Sequence, residues 1–169
     1  MKKIILIITV ALMSFSCEQS KIAFVDNTQL LNEYQEKIDI EAKYKGKIEV
    51  FSKKRDSISQ AFQTEAQAFQ QEANKLSQNV AQEKYNTLMQ KSQTVQQQIQ
   101  LEEQQLARES QDEIDTLLKK VKEFVVDYGQ TNGYTFILGQ NEAGSVMYGD
   151  ASKDITEEVL KALNDAYKK

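Results

Sequence analysis

Residues Asn32–Tyr128, NEYQEKIDIEAKYKGKIEVFSKKRDSISQAFQTEAQAFQQEANKLSQNVAQEKYNTLMQKSQTVQQQIQLEEQQLARESQDEIDTLLKKVKEFVVDY, decide the fold of this chain. The stretch has no proline and one glycine (Gly46), is rich in glutamine, and carries a thin apolar seam. In the first half the seam runs Ile48, Phe51, Ile58, Phe62, Ala66, Phe69, Ala73, Leu76, Val80. In the second half it runs Tyr85, Leu88, Val95, Ile99, Leu106, Ile114, Leu117, Val121, Phe124, Tyr128. Most steps are of three, four or seven residues, which puts the seam on one narrow helical face. So narrow a face cannot enclose a globular core, but it can zip two helices into a coiled coil. Ser77-Gln78-Asn79-Val80-Ala81-Gln82 lies at the midpoint, and its Ser and Asn favour a turn. The expected fold is therefore mainly α: an antiparallel helical hairpin over 32–128 with its tip near 77–83. Each arm would be roughly 65–70 Å long at 1.5 Å per residue.

Composition agrees with an elongated, polar molecule. The chain has 169 residues, no proline and six glycines. Five of the glycines (129, 133, 139, 144 and 149) mark a second regime near the C-terminus. Mean hydropathy is −0.57. The formal net charge is −4, and loss of Lys2 and Lys3 with a leader would give −4 − 2 = −6. No continuous basic stretch remains to hold a phosphate backbone, so no nucleic-acid partner is expected. With no histidine and one cysteine, neither an internal disulfide nor a soft metal cluster can form. Carboxylates such as Asp112, Glu113 and Asp115, near Lys119 and Lys120, read as surface ion pairing rather than catalysis. No enzyme activity and no cofactor are expected.

At the N-terminus Met1-Lys2-Lys3, an apolar run from Ile4 to Met13 and the small residues before Cys17 describe an export signal over 1–16. The run is too short to span a bilayer, which needs about 20 residues. The chain's one cysteine, immediately after this run, is placed as in a bacterial lipoprotein signal. The expectation is a lipidated Cys17 on a short linker, 17–20, holding the protein to a membrane.

The two chain ends, 21–31 and 129–169, supply a small β/α base. Lys21–Asp26 reads as a strand, with Asn27 or Thr28 capping the helix that follows. Tyr134–Leu138 and Ser145–Tyr148 read as a β-hairpin about the turn Gln140–Gly144. Asp154 and Glu157 are spaced as a capping box for a last helix, whose buried stripe is Ile155, Val159, Leu160, Leu163 and Tyr167. Three short strands leave open edges and an uncovered apolar face, so the base is expected to be completed by further copies of itself. Ile22, Phe24, Phe136, Leu138, Val146 and Tyr148 are the candidate assembly residues.

The order strand, helical hairpin, two strands, helix, with Ile22-Ala23-Phe24-Val25-Asp26, Gly133-Tyr134-Thr135-Phe136-Ile137-Leu138 and Asp154-Ile155-Thr156, resembles the Skp/OmpH family of periplasmic chaperones. The resemblance implies a homotrimer whose strands close into a barrel, with unfolded outer-membrane proteins held between its arms without ATP. The absence of a Gly-Lys-Thr or Gly-Lys-Ser phosphate loop agrees. Known members have basic arms, whereas Gln60–Gln105 here carries Lys75, Lys84 and Lys91 against Glu65, Glu72, Glu83, Glu102 and Glu103. This departure leaves open whether the arms bind lipopolysaccharide as the basic arms of known members do. Phe69, Met89 and Leu101 are the candidate client contacts. The alternative reading is a structural or adaptor lipoprotein whose tip docks on another envelope complex.

Overall fold

The computed structural model describes residues 20–168; the expected export signal and Cys17 lie outside them. The elements are β1 (Ile22–Asp26), α1 (Asn27–Glu33), α2 (Gln35–Ala73), α3 (Gln78–Thr131), β2 (Phe136–Gln140), a 3-10 turn (Ala151–Lys153) and α4 (Thr156–Tyr167). They divide into two compact units, one of residues 35–120 and one of the two ends, up to Tyr34 and from Val121 onward.

The first unit is the long hairpin. Helix α2 holds 39 residues, and four residues separate its end from the start of α3. The reversal is Asn74–Ser77: Lys75 N donates to the Glu72 carbonyl (2.8 Å), Leu76 N to that of Ala73, and Ala81 N to that of Ser77. It falls earlier than the expected 77–83, because the chain is already helical from Gln78 onward. Tyr44, Phe51 and Leu117 are buried, but from Ile58 to Ile99 every seam side chain keeps at least part of its surface in water. Two helices bury only the stripe between them, so the seam narrows to partial cover away from these three large residues.

In the second unit β1 and β2 pair in parallel, Ile22 opposite Phe136 and Asp26 opposite Gln140. The other edge of β1 is taken by Asp154 and Ile155, with Ile155 N donating to the Phe24 carbonyl at 3.0 Å. The expected third strand, Ser145–Tyr148, is not formed, nor is its hairpin with the second strand. Gly144, at φ +82°, turns the chain after β2, and no described segment pairs with the outer edge of β2.

The caps also differ in detail. Asp26, not Asn27 or Thr28, caps α1 by accepting from Thr28 N and Gln29 N. No capping box forms at α4, whose N-cap is Ile155 without a side-chain bond. Asp154 instead accepts from Thr156 N (2.9 Å), and Glu157 accepts from Gln29 Nε2 (2.6 Å). Helix α3 ends in a Schellman motif: Gly133 is at φ +69°, its N–H donates to the Gln130 carbonyl, and Tyr134 N donates to that of Gly129. The core is Val25, Leu30, Tyr34, Val159, Leu160 and Leu163, with Tyr34 edge-on to Tyr167.

Candidate binding surfaces

Two surfaces are incompletely covered, one in each unit. On the hairpin, cross-helix ion pairs form a ladder: Glu36–Lys120, Lys43–Glu113, Lys47–Glu109, Lys54–Glu102, Glu65–Lys91 and Glu72–Lys84. The two residue numbers of every pair total 156 (36 and 120, 43 and 113, 47 and 109, 54 and 102, 65 and 91, 72 and 84), as one unbroken antiparallel register requires. At about 100° per residue the six α2 positions lie within about 20° of one direction, so all six pairs share one flank. The register was written in the sequence as mirrored spacings, 43, 47, 54 against 102, 109, 113. Glu102 and Glu109 are partners in this ladder. Glu113 and Lys120 likewise pair across the hairpin rather than along their own helix.

The ladder sets the local electrostatics. Hydrogen bonds from Lys47 and then Gln105 hold the Glu109 carboxyl below its ordinary 4.5, and a hydrogen bond from Lys43 does the same for Glu113. The Glu109 carboxylate raises Lys47 above 10.5. Burial, then the Glu113 hydrogen bond, raises the Tyr44 phenol.

Open clefts run along the seam. One of about 540 Å³ is lined by Phe51, Ile58, Val95, Ile99 and Leu106, with Lys54 and Glu102 on its rim. One of about 510 Å³ near the reversal is lined by Phe69, Val80 and Leu88, with Glu65, Glu72, Glu83 and Lys84 around it. The three candidate contact residues do not form a single patch. Phe69 is half-buried, its ring 6.5 Å from that of Tyr85. Leu101, 61% exposed, edges the larger cleft on the ladder flank. Met89, 44% exposed, sits about 140° around α3 from the ladder, on the opposite flank.

In the second unit the uncovered surface is part of one face of the sheet. Ile22, Phe136 and Leu138 stand on it at 43%, 58% and 45% exposure. Phe24, a fourth candidate, is buried, its ring closely approached by Gly149. Val146 is half-buried, and Tyr148 and its neighbour Met147 are almost fully exposed. Beside the sheet Lys21 Nζ lies 3.9 Å from the Tyr134 ring centre and donates to the Asn132 carbonyl. Among the described residues no group of acidic or cysteine side chains is gathered to hold a metal, and no helix is long and apolar enough to cross a membrane.

A family model described as outer membrane protein (OmpH-like) matches residues 21–163. The chain belongs to this OmpH-like family. A solved structure from Caulobacter crescentus CB15, a candidate OmpH-like outer membrane chaperone, has the same fold. Its TM-score is 0.77 at 17% identity, over 87% of this chain and 85% of that one. No curated protein matches the sequence. The family match and the shared fold place this chain among OmpH-like proteins. The fold is the mainly helical one with a small sheet that the seam and the glycine-rich end called for.

Proposed function

We propose that this protein is an ATP-independent periplasmic holdase. It assembles as a homotrimer through residues 21–31 and 129–169, and unfolded outer-membrane proteins are held between the 32–128 hairpins. The observation that carries the reading is the half-covered seam: from Ile58 to Ile99 the two helices leave apolar side chains in reach of water. Such a surface offers many weak contacts, and multivalency within one cavity makes them effective without an energy source. The open sheet face of Ile22, Phe136 and Leu138 supports assembly, since burying a large apolar side chain contributes about 1.5–3 kcal/mol. Lipidation of Cys17 would keep the assembly at a membrane surface.

The test is dilution of an unfolded outer-membrane β-barrel protein from urea, with and without the purified protein, followed by light scattering. Suppression near one assembly per client is expected. Undiminished aggregation rejects the holdase and leaves the adaptor reading, which the Phe69, Val80 and Leu88 cleft beside the reversal favours. In that case Val80→Glu at the tip would abolish capture of an envelope partner.

A further inference from the structure

The two flanks of the hairpin differ in kind. Between Ser59 and Ala73 on α2, and between Gln78 and Gln100 on α3, the sequence holds five charges: Glu65, Glu72, Glu83, Lys84 and Lys91. Four of them are in the ladder, and Glu83 lines the cleft on that same flank. The opposite flank of this segment therefore carries no charge. It presents Gln63, Gln70, Tyr85, Met89, Gln93 and Gln96, all exposed, around half-buried Ala66 and Ser92.

We infer that this uncharged flank is the face that grips client polypeptide, and that it takes extended, unfolded segments through their backbone amides and small apolar side chains, whatever their charge. The inference rests on the holdase reading and deepens it. A glutamine amide both donates and accepts, so a row of them matches the alternating N–H and C=O groups of an extended backbone. Tyr85 and Met89 add flexible, polarisable apolar contact that suits unselective binding. Fifteen residues of α2 at 1.5 Å each make a track of about 22 Å, the length of six or seven extended residues. The ladder flank is poorly suited to this grip, because its charges are matched internally and would have to be desolvated to admit a client.

The test places charge on either face. Gln70→Glu with Gln93→Glu, and separately Gln70→Lys with Gln93→Lys, load the uncharged flank. Gln60→Glu with Gln90→Glu load the face turned away from the seam. All four positions are exposed, and circular dichroism checks that helix content is kept. Both flank pairs should lose protection of an unfolded β-barrel client, the outward pair should keep it, and wild-type protection should be the same at low and high salt. A photo-reactive benzoyl-phenylalanine at Gln93 should cross-link to client, and one at Gln90 should not. Retained protection in all variants, loss with only one sign of charge, or cross-linking from Gln93 to a second copy of this chain overturns the inference while the holdase stands. Failure of the unmodified protein to protect removes both.

Discussion

At the residue scale, two glycines make opposite demands. An ideal Cβ on Gly149 would lie 2.3 Å from the Phe24 ring, and Phe24 is buried, so the ring has little room to move. Gly149→Ala should destabilise the protein by about 1–3 kcal/mol, measured by urea unfolding, because it overpacks a filled site. Gly46, inside α2, has open space where its own Cβ would stand, with nothing within 4 Å. Gly46→Ala should stabilise by about 0.5–1 kcal/mol, since alanine removes unfolded-state freedom at no steric cost. Thr156 shows why the Asp154-Ile155-Thr156 signature matters: its buried Oγ1 accepts from Asp26 N at 2.9 Å and donates to Asp154. Thr156→Val keeps the shape and strands that backbone donor, a loss of about 1–3 kcal/mol by the same measurement. That signature was legible in the sequence as a motif, but its work was not. The contact to Asp26 spans 130 residues, and local spacing cannot reveal it.

At the element scale, periodicity revealed the two long helices because their seam repeats over many turns, whereas the strands were read less well. Val146-Met147-Tyr148 has strand-forming residues, but Gly144, at φ +82°, turns the chain just before it, and the outer edge of β2 stays unpaired. The reversal was placed late because Ser77 and Asn79 look like turn residues. Asn79 is instead within the first turn of α3, where side-chain preference is a weak term. The ladder makes the hairpin sensitive to pH. Glu109 and Glu113 are depressed below 4.5 in the folded state, so their contribution is complete above that value and is lost as pH falls through the lowered one. Lys47 is raised, so its contribution is complete below 10.5 and fades as pH rises through the higher value. Thermal melting should therefore hold a plateau between these limits, fall on the acid side as the carboxylates protonate, and fall with added salt. Melting that is flat into strong acid would show that the ladder contributes nothing. Reversing one pair tests the register itself. Lys54→Glu should lower the melting temperature, and adding Glu102→Lys should restore it, the exposed pair being worth about 0.2–1 kcal/mol.

At the scale of the whole molecule, the sheet is too small to be finished alone. One chain supplies a two-stranded parallel sheet with the outer edge of β2 open and Ile22, Phe136 and Leu138 uncovered on one face. An apolar face left in water supports the proposed assembly, since closed symmetry between identical chains is the commonest way to cover one. The proposed trimer predicts that sedimentation of the purified protein gives three times the chain mass of 19.3 kDa, less any cleaved leader. Phe136→Glu should reduce that to one. The substitution puts charge at the centre of the open face, while the side chain, 58% exposed, contributes little to packing within its own chain. Circular dichroism of the variant should then keep its helical signal, which separates lost assembly from lost folding. A variant still three chains in mass, with the unmodified protein equally so, would place the interface on another surface. An unmodified protein of one chain mass would end the trimer proposal and with it the shared cavity, since one hairpin has nothing to close against.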